Sequence, residues 1–222
     1  MPHLSLRIRV LLASGFAAAV LSIASAGAAV VFAVMMAVVV STVGAHHPFP
    51  RFGPANYVTM LRAAVVALAA TLLVESPGER FAWFVVGATA CLAALDGLDG
   101  WLARRTGLAS AFGARFDMEV DALLILVLSL FVWRYNKAGV WVLACGLMRY
   151  LFVAAGWVLP WMAGPLPPTL RGKSVAVGQF AGLGLALAPI VSPPVSAIVA
   201  AITLAALVWS FGIDVMRLRH RQ

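Results

Sequence analysis

Residues 81–133 read FAWFVVGATACLAALDGLDGWLARRTGLASAFGARFDMEVDALLILVLSLFVW, and this stretch determines which fold the chain can adopt. It contains two apolar runs, Phe81–Leu102 and Ala114–Trp133, with several aspartates beside the short connection between them. A bilayer core of about 30 Å is crossed by a helix of roughly 20 apolar residues. Ionisable side chains at membrane depth are costly and are rare there unless they serve a function. The stretch therefore predicts two membrane helices that carry a functional acidic site.

The composition of the whole chain is that of a polytopic membrane protein. Its 222 residues are 63% hydrophobic and 11% charged, with a mean hydropathy of +1.00, whereas soluble domains are about 45–50% apolar and about 25% charged. A soluble enzyme is excluded. The net charge of +8 comes without a basic run interleaved with aromatic residues, so we expect no nucleic-acid partner. Both cysteines lie in apolar stretches, which gives no support for a disulfide or a thiolate metal site.

Apolar stretches separated by proline, glycine and charge predict six helices after Arg51. We expect them at Tyr57–Val74, Phe81–Leu102, Ala114–Trp133, Ala138–Pro160, Val175–Val191 and Val195–Met216. Basic residues concentrate in cytoplasmic loops. Nine basic residues against three favour a cytoplasmic connection after Leu102. The inside set is Arg51, Arg104, Arg105, Arg115, Arg171, Lys173, Arg217, Arg219 and Arg221, and the outside set is Arg80, Arg134 and Lys137.

The first fifty residues form a separate membrane segment in this interpretation. Val10–Gly44 is almost wholly apolar and would extend about 52 Å as one helix, against a hydrocarbon core of about 30 Å. The alternatives are a helical hairpin turning near residues 25–27, a single span with an interfacial tail, and a cleaved signal peptide. The hairpin is preferred because Val30–Val40 stays apolar and because Arg7 and Arg9 then lie inside. The predicted organisation is an apolar hairpin over residues 1–50 and a six-helix membrane domain over residues 51–222.

Four aspartates have the spacing of a divalent-metal site. Asp96 and Asp99 are i,i+3, and Asp117 and Asp121 are i,i+4, so each pair projects from one face of its helix. Two facing helices would bring four carboxylates together. With no histidine or cysteine nearby, these hard oxygen ligands favour Mg²⁺ or Mn²⁺. Four carboxylates can hold two such ions, which would clamp phosphate oxygens in a displacement reaction.

The residues between the acids indicate a phosphate-bearing ligand. Gly97 and Gly100 remove side chains next to the aspartates. Ala103 keeps the next turn small, and Arg104 supplies a planar fork for phosphate oxygens. Gly113 is expected to let the two acid-bearing helices pack closely. A bulky anionic headgroup could approach the backbone in such a place.

The acid-bearing signature resembles that of the CDP-alcohol phosphotransferase (CDP-alcohol phosphatidyltransferase) family. All eight fixed positions of the family pattern are present at their spacings: Asp96, Asp99, Gly100, Ala103, Arg104, Gly113, Asp117 and Asp121. Asn56–Arg62 is similar to the Asn-x-x-Thr-x-x-Arg opening of the first core helix in this family. Gly172–Gln179 resembles a later Gly-Lys-x-x-Thr-x-x-Gln segment, with Ala176 in place of the usual threonine. The likeness covers about Pro54–Met216.

The resemblance implies a six-helix catalytic core, often dimeric, with a cavity facing the cytoplasm. Such a core moves a substituted phosphate from a CDP-alcohol to an acceptor hydroxyl and releases CMP. Two divalent metals would lie among the four aspartates, and Asp121 would be both a ligand and the general base. The CDP site would be lined by Gly100, Ala103, Arg104 and Gly113. We therefore expect a phosphatidyltransferase of the bacterial cytoplasmic membrane that uses CDP-diacylglycerol, with glycerol 3-phosphate as the first choice of acceptor and inositol phosphate as an alternative.

Three basic residues, Arg149, Arg171 and Lys173, are candidates for binding a phosphate-bearing acceptor. The positive-inside rule explains Arg171 and Lys173 equally well, whereas Arg149 interrupts an apolar run. A cation transporter is the alternative function, but it would spread its acids through the membrane depth. A catalytically silent scaffold would have no reason to keep four costly carboxylates. Both alternatives therefore rank below the enzyme.

Overall fold

The computed structural model describes residues 2–46, 49, 51–74, 77–164, 166 and 169–220, excluding the side chains of residues 2–5, 24, 38, 40–46, 99 and 163. Within these ranges the chain contains eight α-helices and no β-strand. The helices are α1 (Pro2–Ala24), α2 (Ala26–His46), α3 (Pro54–Thr71), α4 (Glu79–Thr106), α5 (Ala111–Arg134), α6 (Leu143–Val158), α7 (Leu170–Leu187) and α8 (Val195–Arg219). Short 3₁₀ segments, Val140–Val142 and Pro160–Ala163, flank α6. The predicted all-α fold is confirmed, and a helix occupies each of the six predicted core positions.

Four helical stretches of the described chain are long and apolar enough to cross a bilayer, by length and composition. They are Leu6–Ile23, Glu79–Thr106, Val140–Val158 and Val195–Arg219, and Ala26–Ala37 is a shorter apolar helix. Large apolar side chains on them face outward, with Ile23 87% and Trp157 83% exposed. Extensive exposed apolar surface is rare on soluble monomers. The chain is therefore an integral membrane protein.

The first two helices are separated by Ser25 alone, within the predicted turn. The Ser25 hydroxyl accepts a hydrogen bond from the backbone N–H of Ala28 at 3.4 Å, which is the interaction of a helix N-cap. Helices α1 and α2 contact each other, and both contact α3. The N-terminal segment is thus a pair of apolar helices packed together, as the hairpin prediction requires, and it lies against the first core helix.

The chain forms two compact units. The first consists of Met1–Ser76 and Cys91–Asp121, and the second consists of Pro77–Ala90 and Ala122–Gln222. The first unit holds α1–α3 and the acid-bearing parts of α4 and α5, and the second holds α6–α8 with the remaining parts of α4 and α5. The division at residue 50 that the sequence suggests stays a prediction.

The start of α3 is held in place by a glycine and a cluster of aromatic rings in the first unit. Gly53 has φ of 82°, and a Cβ there would lie 3.2 Å from Leu108, so glycine suits both the conformation and the space. Pro54 follows at the first helical position, where its fixed φ suits the helix. The Phe52 ring lies 6.3 Å from that of Phe112 and 6.4 Å from that of Phe116, between ring centroids. These contacts fix the beginning of α3 against the beginning of α5.

Close helix contacts in the second unit depend on two glycines. A Cβ on Gly146 of α6 would overlap the backbone of Leu126 in α5, and a Cβ on Gly182 of α7 would overlap the side chain of Thr203 in α8. The Gln179 amide also donates a hydrogen bond to the Thr203 carbonyl at 2.5 Å. Small residues allow membrane helices to approach closely, and interhelical hydrogen bonds add to their association. These contacts tie α7 to α8 and α6 to the second half of α5.

Candidate active site

Three of the four predicted ligands come together in the first unit. Asp96 lies on α4, Asp117 and Asp121 lie on α5, and one carboxylate oxygen from each falls within 4.8 Å of the others. Their side chains are 30%, 32% and 18% exposed, respectively, so a ligand can reach them although they are partly shielded from water. Asp99 belongs to α4, but its side chain lies outside the described part of the structure. The helical spacing of the acids therefore does produce a convergent cluster.

A buried arginine from α3 contacts all three carboxylates. The Arg62 side chain is 1% exposed, and its Nη1 lies 3.1 Å from Asp96 and 2.5 Å from Asp117. Its Nη2 donates a hydrogen bond to Asp121. An arginine this deeply buried requires opposite charge around it, and three neighbouring carboxylates likewise require positive charge among them. The cluster is therefore a place where cationic groups are favoured.

Arg62 belongs to the family-like segment Asn56–Arg62, but its place in the site was not predicted from the sequence. A signal was present, because Asn56, Thr59 and Arg62 recur every three residues on a helix that is otherwise apolar. All three are buried, at 6%, 3% and 1% exposure. Asn56 donates a hydrogen bond to the carbonyl of Phe52. This polar line marks the face of α3 that meets the acid-bearing helices.

Gly113 has a different packing role from the one expected. It was predicted to let α4 and α5 approach each other, but a Cβ at this position would lie 2.9 Å from Oδ1 of Asn56 on α3. Asn56 is buried and hydrogen-bonded, so it has little freedom to move away. The helix that Gly113 allows to approach α5 is therefore α3, where α4 was predicted, because a glycine makes room for whichever neighbour faces it. Spacing along the chain does not identify that neighbour.

The residues predicted to line a CDP site follow Asp96 along α4. A Cβ on Gly100 would lie 3.4 Å from Nη1 of Arg104, so this guanidinium lies over the glycine one turn earlier. Arg104 is exposed, and Ala103 is half-buried. An exposed guanidinium above a residue without a side chain is accessible to a phosphate. The assignment of these residues to a CDP site stays a prediction.

The three predicted acceptor residues lie in the second unit. Arg149 is half-buried on α6, and Arg171 and Lys173 lie in the first turn of α7. Arg171 forms an ion pair through Nη2 with Asp214 of α8. Its Nε and Nη1 are buried and have no hydrogen-bond partner in the described residues. Arg171 therefore retains two donor nitrogens, Nε and Nη1, that no group in the described residues satisfies, while its Nη2 is paired with Asp214.

The donor set of the aspartate cluster fits a divalent cation. The converging atoms are all carboxylate oxygens, which are the hard ligands that Mg²⁺ and Mn²⁺ prefer. Mg²⁺ is commonly held by one or two carboxylates together with substrate phosphates, and the three side chains are exposed enough to share an ion with a substrate. The position of Arg62 among them is a direct sign that this place accommodates positive charge.

Comparison with known proteins identifies the family. The model of the CDP-alcohol phosphatidyltransferase family matches residues 52–209. The chain belongs to this family. It is similar to two curated proteins, each named "Probable phosphatidylglycerophosphate synthase", from the Mycobacterium tuberculosis strains CDC 1551 / Oshkosh and ATCC 25618 / H37Rv. Each is 32% identical over 143 residues, which cover 63% of this chain and 68% of the relative. No solved structure gives a significant match.

Membership of the CDP-alcohol phosphatidyltransferase family establishes the class of activity. The chain is a membrane-embedded phosphatidyltransferase of phospholipid biosynthesis that uses a CDP-alcohol donor and an alcohol acceptor. The family match includes the whole aspartate cluster and Arg62, whereas it leaves out α1 and α2. The predicted enzyme class is confirmed in preference to a transporter or a scaffold.

Proposed function

We propose that this enzyme transfers the phosphatidyl group of CDP-diacylglycerol to a hydroxyl of glycerol 3-phosphate and releases CMP. The observation that carries the proposal is the convergence of Asp96, Asp117 and Asp121 around one position. The names of the two relatives support a glycerophosphate acceptor. A donor with two acyl chains suits an enzyme embedded in the bilayer. Inositol phosphate is the alternative acceptor.

In this proposal Asp96, Asp99, Asp117 and Asp121 would hold two divalent cations, Mg²⁺ or Mn²⁺. When bound, these ions would neutralise charge on the donor pyrophosphate and on the departing CMP. Arg62 would keep the carboxylates of α4 and α5 close together from the α3 side. Since phosphoryl transfer depends mostly on positioning and electrostatic stabilisation, a small helical bundle can supply what the reaction needs.

Asp121 would act as the general base in addition to being a ligand. Its carboxylate would take the proton from the acceptor hydroxyl, whose oxygen attacks the phosphorus that carries the diacylglycerol. The bond between that phosphorus and the bridging oxygen breaks, and its electron pair leaves with CMP. Asp121 is the least exposed of the three described ligands, which favours proton transfer away from competing water.

The donor's CDP group would be bound along α4 and the start of α5, by Gly100, Ala103, Arg104 and Gly113. The residues proposed to bind the acceptor phosphate are Arg149, Arg171 and Lys173. Guanidinium groups suit this task because they bind phosphate oxygens in pairs. The two unsatisfied donor nitrogens of Arg171 support its role in acceptor binding.

We also propose that the enzyme is a homodimer of the bacterial cytoplasmic membrane with its active site facing the cytoplasm. The excess of basic residues in the loops on the side of Arg104 supports this orientation. The dimer rests on the family resemblance alone.

The proposed reaction can be tested by following CMP release from purified protein in detergent. CDP-diacylglycerol would be combined with Mg²⁺ or Mn²⁺ and with a panel of acceptors: glycerol 3-phosphate, inositol phosphate, glycerol, inositol and serine. We expect CMP and a phosphatidyl lipid in equal amounts with glycerol 3-phosphate. No CMP from any acceptor in the presence of either metal would contradict the proposal.

The base role can be tested with Asp121→Asn in the same assay. General-base catalysis contributes about 10²–10⁴-fold, so turnover is expected to fall by at least that range, with further loss through the metal site. Glu119→Gln is the matched control because it removes a carboxylate from the same turn of α5, outside the cluster. Turnover of Asp121→Asn equal to that of the wild type would remove Asp121 from this role.

A further inference from the structure

A cavity of about 720 Å³ lies in the first unit, and its described lining includes none of the residues assigned above to the reaction. It is lined by Arg9, Arg51, Phe52, Gly53, Pro54, Tyr57, Thr106 and Leu108. Ligand sites in proteins typically measure about 300–1,000 Å³. The cavity is therefore large enough for a small organic anion or for the head region of a lipid.

The lining residues come from the ends of three helices. Arg9 lies near the beginning of the apolar stretch Leu6–Ile23, and Thr106 is the last residue of Glu79–Thr106. Arg51 stands just before α3. The ends of membrane helices lie at the level of the lipid headgroups. The cavity is thus placed where phospholipid phosphates are found.

The described residues that line the cavity carry positive charge. Among the described residues, Arg9 and Arg51 are the charged residues that line it, and no described carboxylate does. Both arginines are exposed, and neither forms an ion pair within the described part of the chain. Guanidinium groups bind phosphate oxygens through paired hydrogen bonds. The charge therefore suits a phosphate-bearing anion.

The remaining lining is largely apolar and aromatic. Phe52, Tyr57 and Leu108 contribute hydrocarbon and ring surface, and Tyr57 is 41% exposed. Inorganic phosphate would leave this surface in contact with water, whereas a lipid would cover it with glycerol and the upper parts of its acyl chains. The combination of two guanidinium groups and apolar walls matches an anionic phospholipid.

We propose that this cavity is a binding site for an anionic phospholipid of the surrounding bilayer, with Arg9 and Arg51 on its phosphate. Both arginines precede the residues that the family model matches, whereas the other lining residues lie within the match, so the positive charge of the site comes from the N-terminal part of the chain. A bound lipid would link α1 to the start of α3 and to the connection that follows Arg104. It would steady the helices that carry Arg62 and the aspartates.

The test is native mass spectrometry of the full-length protein titrated with dioleoylphosphatidylglycerol or dioleoylphosphatidylcholine, without donor or metal. A basic residue near an anionic membrane surface contributes about 1 kcal/mol, which is about fivefold in affinity. We therefore expect Arg9→Gln and Arg51→Gln each to weaken the first phosphatidylglycerol binding about fivefold. The double variant is expected to weaken it about 25-fold if the two contributions add.

Two further variants distinguish a specific lipid site in the cavity from general attraction of anionic lipid to basic residues. Arg219→Gln removes an exposed cation near the end of α8, outside the cavity, and is expected to change binding less than twofold. Thr106→Trp narrows the cavity without changing charge and is expected to weaken phosphatidylglycerol binding. A circular dichroism spectrum and a melting temperature like those of the wild type in zwitterionic detergent confirm that each variant is folded.

The proposal is overturned if the double variant binds phosphatidylglycerol as tightly as the wild type, or if Arg219→Gln weakens binding equally. It is also overturned if sodium phosphate displaces the lipid at equal concentration, because the site would then bind free phosphate. Since neither substrate nor metal is present, these outcomes do not depend on the proposed reaction.

Discussion

Replacing Arg62 with glutamine should change the relation between stability and divalent cations. The Arg62 side chain is 1% exposed and contacts three aspartates. Removing one partner from a buried ion pair costs about 3–5 kcal/mol. The aspartates keep 18–32% exposure, so water relieves part of the repulsion and the low end, about 3 kcal/mol, applies. At about 2–4 °C per kcal/mol for a chain of this size, the melting temperature in EDTA should fall by roughly 6–12 °C.

Divalent cations should reduce that loss. Mg²⁺ can supply the positive charge that Arg62 provides, so its addition should raise the melting temperature of Arg62→Gln more than that of the wild type. Differential scanning calorimetry in detergent, with EDTA and with saturating Mg²⁺, gives the melting temperatures of the wild type and of Arg62→Gln under both conditions. Arg105→Gln is the control, because Arg105 is exposed and lies over the Trp101 ring at 4.8 Å. If the melting temperature of Arg62→Gln lay equally far below that of the wild type with and without Mg²⁺, Mg²⁺ would not replace the charge of Arg62.

Two further predictions concern packing and acceptor binding. Gly97→Ala should stabilise the protein by up to about 1 kcal/mol through helix propensity, since a Cβ there meets nothing within 4 Å, whereas Gly113→Ala collides with Asn56. The free energy of unfolding of Gly113→Ala should therefore fall about 1–3 kcal/mol below that of Gly97→Ala, and equal values in denaturation curves would count against this contact. Asp214→Asn should raise the KM for glycerol 3-phosphate about tenfold with kcat nearly unchanged, because a hydrogen bond to a charged group contributes about 1.5–3 kcal/mol and Arg171 loses its partner. A change in kcat alone would show that Asp214 does not position Arg171.

The helices and the acid cluster could be predicted from the sequence because simple periodicities determine them. Apolar runs bounded by proline, glycine and charge placed the helices that became α3–α8. The i,i+4 spacing put Asp117 and Asp121 on one face of α5, where their carboxylates converge with that of Asp96 from α4. Such local rules apply whatever the neighbours are.

The contacts between helices were harder to predict from the sequence. The contact of Arg62 with the aspartates depends on how α3 packs against α4 and α5, and spacing within one helix does not contain that information. The same limit explains the mistaken partner of Gly113, which faces Asn56. The pairing of Arg171 with Asp214 joins positions 43 residues apart, and the ion pair depends on the packing of α7 against α8.

A divalent-cation site among Asp96, Asp117 and Asp121 is tested most directly by measuring Mn²⁺ binding to the purified protein with electron paramagnetic resonance. We expect Asp117→Asn to weaken Mn²⁺ binding at least about tenfold, because the lost contact between a charged ligand and the ion contributes about 1.5–3 kcal/mol. Asp214→Asn, an acid outside the cluster, should leave Mn²⁺ binding unchanged. Equal Mn²⁺ affinity in the wild type and Asp117→Asn would contradict a cation site among Asp96, Asp117 and Asp121.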